Sequence, residues 1–472
     1  MKQTELFDEF SYGKEFGSVN FGDERLNKRF VKVVERFAEL PSAPINKACE
    51  NWAETKSAYR LLDNDKVSVQ EILVCHRDQT IQRAKGLEKL LVVQDTSLFN
   101  FHAHPKTKGL GSIGKNPGSQ NSVRGLVVHT ALALSEEGTP LGLIDQRVWS
   151  RAKEVDEFKG SEARKWLIAL EQTASFAKQA KIQAITVCDR EADITELMIQ
   201  ARQLGTDFVI RSRNTRAVHM ASGKDNLEYF MFRQPTRGEL EIEIVVRQTL
   251  LGDVWRKKRA TGKKRKVQLE VRFAKVILQQ SKNNFGIKAR DESDLTFYAV
   301  HLSEKNPPPK ANEISWLLLT TLPVETLDEA LQVVEIYRKR WGIENYHKVL
   351  KSGCKIEESR LATAERLQRY ITIMGIIGWR LYYLTRLNRE MPDAPCTEVL
   401  TDMEWKALYC KIHHTKVLPK KPPSIKLATI WIAQLGGYLN RANDPPPGVQ
   451  TMAGGWERLT EIAEMYELIT CG

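Results

Sequence analysis

The stretch Tyr337-Arg338-Lys339-Arg340-Trp341-Gly342-Ile343-Glu344-Asn345-Tyr346-His347-Lys348-Val349-Leu350-Lys351 spaces Tyr337, Arg340, Glu344 and Lys351 by three, four and seven residues. At 3.6 residues per turn those side chains fall on one helical face. Apolar Ile336, Trp341, Ile343, Val349 and Leu350 point elsewhere. The spacing therefore predicts one helix, from about Leu327 to Lys351, that packs while presenting a single acid among bases. A carboxylate flanked by Arg and Lys suits a metal that must meet a polyanion.

Partners for that acid stand upstream. Two apolar runs each end in an aspartate: Leu90-Leu91-Val92-Val93-Gln94-Asp95 and Ile182-Gln183-Ala184-Ile185-Thr186-Val187-Cys188-Asp189. Such runs read as buried strands that deliver a carboxylate to a sheet edge. Asp95, Asp189 and Glu344 make an all-oxygen ligand set, which hard divalent cations prefer, and phosphoryl transfer is the chemistry that follows.

With these residues in place the chain resembles the DDE transposases of bacterial insertion sequences, in the subgroup with a Tyr-Arg-Glu-Lys signature. The resemblance runs from about Gly22 to about Leu468. It rests on Asp95-Thr96, the run from Cys188 to Asp193 (CDREAD), the Trp316-Leu-Leu-Leu-Thr run, the signature helix and Gly436-Gly437, all in matching order. The chain departs from the family's best-known member at Gly342 and Asn345, where that member has Arg and Glu.

The resemblance implies an RNase H-like α/β core interrupted by an inserted antiparallel β domain, with helical domains at either end. Expected divisions are a transposon-end DNA-binding domain over 1–85, a catalytic domain over 86–391 with its insertion at about 214–315, and a dimerisation domain over 392–472. It also implies that Asp95, Asp189 and Glu344 ligate two Mg²⁺ ions, with Mn²⁺ able to substitute. Tyr337, Arg340, Lys351, Arg211, Trp316, His347, Lys348, Arg25 and Arg29 become expected DNA contacts, with Trp316 stacking on a flipped base. The implied partners are transposon-end and target double-stranded DNA and a second copy of the chain in a synaptic complex. The implied reaction is nicking, hairpin formation, hairpin opening and strand transfer. Two rivals stay open: an RNase H-like nuclease that does not transpose, and a DNA-binding regulator that no longer cuts.

Composition is compatible with nucleic acid. The formal net charge is +12, and Arg256, Lys257, Lys258, Arg259, Lys263, Lys264, Arg265 and Lys266 crowd into one short run. That run is either a solvated hairpin tip or a phosphate contact, since each basic group near a phosphate releases a counterion. No apolar stretch reaches the ~18 residues of a membrane span, and the first ten residues are polar and acidic. We therefore expect a cytoplasmic, nucleoid-associated protein. The seven scattered cysteines lack paired spacing and read as reduced thiols.

The remaining pattern is coarse. Asp23 is placed to cap a helix with the stripe Leu26, Phe30, Val33, Val34 and Phe37. Strands at 90–95, 126–134 and 141–149, a helix at 161–178, a strand at 182–189, a helix through Leu197 and a strand at 208–211 give the order β-β-β-α-β-α-β. Gly109-x-Gly111-x-x-Gly114 resembles a dinucleotide fingerprint but is followed by Lys115-Asn116-Pro117-Gly118, which cannot open a helix. The segment 106–124 is read instead as a mobile loop beside Asp95. Helices are expected at 405–409, 425–438 and 456–468.

Overall fold

The computed structural model describes residues 10–115, 122–152, 158, 160–213, 216–220, 223–248, 259–280, 285–308, 313–442, 444 and 446–471. Helices open the chain: α1 (Tyr12–Glu15), α2 (Glu24–Glu39), α3 (Ile45–Ala48), α4 (Trp52–Leu62) and α5 (Val69–Ala84). The Asp23 carboxylate accepts from the N–H groups of Arg25 and Leu26, which satisfies two of the donors a helix start leaves over. The stripe from Leu26 to Phe37 is buried as its spacing requires.

The core follows as β1 (Lys89–Asn100), β2 (Gly111–Lys115), β3 (Ser122–Leu134), β4 (Pro140–Trp149), α6 (Arg164–Ala180), β5 (Gln183–Cys188), α7 (Thr195–Leu204) and β6 (Asp207–Arg211). After it come β7 (Ala217–Met220), β8 (Gly223–Asn226), α8 (Leu227–Phe232), β9 (Gly238–Gln248), β10 (Arg259–Ile277), β11 (Thr296–Glu304) and β12 (Ser315–Thr320). One sheet takes the order β2-β3-β1-β5-β6-β12-β11-β10-β9, with β4 also paired to β3. β1, β5 and β6 run parallel to their neighbours in that trio, and β1, β3 and β4 form an antiparallel meander. The inserted strands β9–β11 are antiparallel and join the core sheet through β12, continuing it rather than standing apart.

Strand parity divides the core into layers. Leu90, Val92 and Ala184 pack with Ala169 and Phe176 of α6. Leu91, Val93, Ile185 and Val187 pack on the other face with α9 (Leu327–Lys339), α10 (Trp341–Lys348) and α11 (Ala364–Glu390). Because side chains alternate along a strand, Asp95 shares the parity of Leu91 and Val93 and faces α10. Helices α12 (Asp402–His413), α13 (Ile425–Leu435) and α14 (Val449–Cys471) close the chain around their own apolar cluster.

Several expectations change. β1 does not stop at Asp95 but runs on to Asn100, paired with β3 throughout. Part of the glycine-rich loop is strand β2, and a Cβ on Gly111 would lie 2.4 Å from the Ala152 nitrogen, so backbone approach explains that glycine; 116–121 lie outside the described residues. The signature helix is interrupted at Arg340 and ends in a π-helical turn over Val349–Gly353 that carries Lys351. Trp341 does not pack inward; it is 51% exposed. α14 begins at Val449 and runs through Gly454-Gly455, where a Cβ on Gly455 would stand 1.9 Å from the Ile432 carbonyl oxygen of α13.

Candidate active site

Gln94 of β1 pairs with Cys188 of β5 in parallel register, so Asp95 and Asp189 are the next residues on two adjacent strands. Asp189 then caps a short 3₁₀ turn, accepting from Glu191 N–H at 2.9 Å. Asp95 accepts from the Thr96 N–H at 2.8 Å. Glu344 lies in the first turn of α10, and its Oε1 accepts from Arg340 Nη2 at 2.5 Å. Asp95 and Asp189 thus sit on adjacent strands, and Glu344 on the helix that packs against β1.

The electrostatics tie the three acids together. Burial pushes the Asp95 carboxyl up to about 7, with Asp189 and Glu344 adding to the rise while the Thr96 N–H and Arg340 oppose it. A buried carboxylate raised by neighbouring like charges is what a divalent cation relieves, so the all-carboxylate donor set fits such an ion. In the arrangement present Glu344 is turned to Arg340, and among the described residues no three acidic, imidazole or thiol groups are grouped closely enough to enclose a metal.

Aromatic and basic groups border the acids. The rings of Trp316 and Tyr337 meet edge-on at 5.6 Å. The Arg211 guanidinium lies 5.9 Å from the Trp316 ring and donates to the Ser315 carbonyl at 2.9 Å; Arg340 lies 5.9 Å from the Tyr337 ring. Lys351 donates to the Leu98 carbonyl at 2.7 Å, an approach that the π turn and the extension of β1 together make possible. Tyr337 is buried and Trp316 half-buried.

His347 is placed differently from a surface contact. It is buried, its Nδ1 lies 3.8 Å from Asp95 Oδ2, and its Nε2 lies 3.5 Å from Thr130 Oγ1. Burial, with Lys351 nearby, pushes it down to about 3, so it is a neutral neighbour of Asp95. Lys348 on α10, and Arg25 and Arg29 on α2, are exposed.

Three neighbours carried no sequence signal. His129 of β3 meets Thr96 Oγ1 through Nδ1 at 3.0 Å, Thr130 sits opposite Asp95, and Lys165 is buried between the Trp149 and Trp166 rings. Cross-strand and helix-to-sheet contacts put them there, and no local periodicity encodes such contacts.

The basic run is partly spent within the protein. Lys264 and Lys266 pair with Glu243 and Glu241 across the β9–β10 ribbon, and Arg265 pairs with Glu304. Arg256, Lys257 and Lys258 lie outside the described residues. Met465, Leu468 and Ile469 leave an apolar side of α14 exposed. Among the described residues no helix is long and apolar enough to cross a membrane, and six cysteines are free thiols.

Comparison with known families follows the same order along the chain. Residues 12–67 match the family described as transposase DNA-binding, residues 162–377 the transposase DDE domain, and residues 376–469 the transposase Tn5 dimerisation domain. An α/β core of this kind, between a DNA-binding and a dimerisation segment, defines a DDE transposase, a metal-dependent enzyme that cuts DNA and transfers its strands. The chain belongs to the Tn5-like members of that family. The DDE match includes Asp189 and Glu344 and begins beyond Asp95; the β1–β5 register is what brings Asp95 to them.

Proposed function

We propose that the protein is a cut-and-paste transposase that binds the terminal inverted repeats of its element, nicks each end, cleaves through a DNA hairpin and inserts the 3′ ends into target DNA. The reading rests on one observation above all: Asp95 and Asp189 follow the same rung of parallel strands β1 and β5, beside the helix α10 that carries Glu344. In this reading 1–85 bind the transposon end, 86–391 perform catalysis with the insertion at about 214–315, and 392–472 pair two subunits into a synaptic complex.

Asp95, Asp189 and Glu344 would hold Mg²⁺, and the ion, when bound, would supply positive charge for an attacking and a leaving oxygen. Arg340 leaves Glu344 as the site loads and turns its guanidinium to a phosphate, whose oxygens match its forked donors. Tyr337, Arg211 and Lys351 orient the strand near the cleavage point. Trp316 receives the base that leaves the duplex, where stacking worth ~1–3 kcal/mol offsets part of the unpairing.

The test uses the full chain, Mg²⁺, a duplex carrying the element's own end and a supercoiled target plasmid. Nicked, hairpin and joined products should appear in that order on denaturing gels. Nicking that never proceeds to a hairpin would remove the hairpin route, and cutting without joined product would favour a nuclease.

A further inference from the structure

The turn that carries Asp189 ends at Asp193, whose carboxylate is buried and fully engaged. Oδ1 accepts from Arg216 Nε at 2.8 Å and Nη2 at 2.5 Å, while Oδ2 accepts from Ser212 Oγ at 3.2 Å and the Arg213 N–H at 2.7 Å. Arg216, buried as well, also donates to the Asp193 carbonyl at 2.7 Å and to Thr195 Oγ1 at 2.5 Å. Ser212 and Arg213 directly follow Arg211 at the end of β6, and the Ser212 N–H donates to the Leu317 carbonyl of β12, next in sequence to Trp316.

Removing two charges from water is costly, and a buried ion pair is poor evidence of stability; its best-attested use is to fix one geometry. Here the geometry fixed is the join between the Asp189 turn and the strand end bearing Arg211. We propose that Asp193 and Arg216 are positioning residues for the cleavage reaction, locking the metal-binding Asp189 to the segment that presents Arg211 and Trp316. This rests on the site assignment proposed above. Neither residue reaches the reacting atoms; each acts through a neighbour.

The experiment compares the unaltered chain with Asp193→Asn, Arg216→Lys and the double variant Asp193→Asn/Arg216→Gln. Asp193→Asn strands one buried charge and can unfold the protein, whereas Arg216→Lys keeps both charges and loses the forked donor geometry. The double variant removes both charges and leaves an uncharged amide in each place, so it holds the test open. Mn²⁺ binding to the protein alone is read from the free-ion electron paramagnetic resonance signal, and single-turnover cutting from pre-bound end DNA. Thermal midpoint and gel-shift retention report folding and DNA binding.

The double variant should keep its midpoint within a few degrees and its DNA retention, yet bind Mn²⁺ and cut about tenfold more weakly, since misplacement by ~1 Å can cost up to ~10²-fold. Arg216→Lys should fall between. Unchanged Mn²⁺ affinity and cutting in a folded double variant would overturn the proposal, as would losses that only track the unfolded fraction. The Asp189→Ala control separates the two levels: if it still binds Mn²⁺ and cuts normally, the site assignment has failed, whatever the pair does.

Discussion

Asp95 and Asp189 stand one residue beyond the same rung of the sheet, the Gln94–Cys188 pair of parallel strands β1 and β5. Their closeness is a property of register, so it is rigid before any ligand arrives. Preorganised charge of this kind costs no rearrangement at the moment of reaction.

Replacing any of the three acids should therefore separate binding from chemistry. Asp95→Ala, Asp189→Ala and Glu344→Ala are each expected to lower cleavage by at least ~10²–10³-fold, the scale of losing one preorganised electrostatic group. Gel-shift affinity for end DNA should hold. Near-normal Mg²⁺-dependent cutting by one of them would show that residue to be misassigned.

The raised Asp95 predicts a specific pH and metal dependence. Its folded value of about 7 lies above the ordinary carboxylate value of 3.8, so the fold favours the protonated form. The associated stability is complete below about pH 4 and lost as pH rises through about 7. Without divalent ions, unaltered protein should lose up to a few kcal/mol across that window relative to Asp95→Asn. Added Mg²⁺ should raise the thermal midpoint more at pH 8 than at pH 5; an equal rise at both would contradict the assignment.

Acid should act at a second, distant place. The Leu143 N–H donates to Nε2 of buried His76 at 2.8 Å, which leaves Nδ1 to carry the ring proton toward Glu15. Burial holds His76 below its usual value, and although burial also opposes ionised Glu15, Arg83 and His76 hold that carboxyl down to about 2. Both signs agree: His76 costs stability as pH falls below about 6.5, and the Glu15 contribution, present above about 4.5, is lost toward 2. Glu15→Gln should cost ~3–5 kcal/mol at pH 7 by stranding Arg83. Denaturant titrations from pH 2 to 5, the window in which the Glu15 carboxylate takes up its proton, should also show a shallower acid slope for the variant.

Trp316 separates two steps of the proposed reaction. The first nick needs no base to leave the duplex, whereas the hairpin does. Trp316→Ala should spare nicking and slow hairpin formation by one to two orders of magnitude if ~1–3 kcal/mol of stacking is lost. Because Trp316 also packs on Tyr337, a thermal midpoint is measured alongside. A variant that fails at every step and melts early would make Trp316 a packing residue.

In the C-terminal region Gly455→Ala tests the close helix crossing. With the new methyl 1.9 Å from a carbonyl oxygen of α13, the helices must separate, at a cost of ~1–3 kcal/mol for overpacking. Sedimentation should show weaker self-association if the α13–α14 pair supports the dimer contact; unchanged association would place that contact elsewhere.

Local pattern by itself determined a good deal. The alternation of apolar runs and helical stripes gave the longer core elements in order, β1, β3, β4, α6, β5, α7 and β6, gave the Asp23 cap and stripe of α2, and offered Asp95, Asp189 and Glu344 as candidate ligands, because strand and helix periods are written in neighbouring residues. The long helix α11 escaped such reading since it is buried on nearly every side, and a helix apolar all round has no amphipathic stripe. The helix expected over 456–468 begins earlier, at Val449, and runs through Gly455, which sits where two helices touch backbone to backbone.

Only the tertiary structure decided what meets across elements. It set the register that joins Asp95 to Asp189, turned His347 inward beneath Asp95, and spent Lys264 and Lys266 on Glu243 and Glu241. It also buried Asp193 against Arg216. Each of these pairs is distant in sequence or crosses between strands and helices. Its energy depends on burial and on partners that local spacing does not specify, which is why the chain offered the acids as candidates and did not offer their setting.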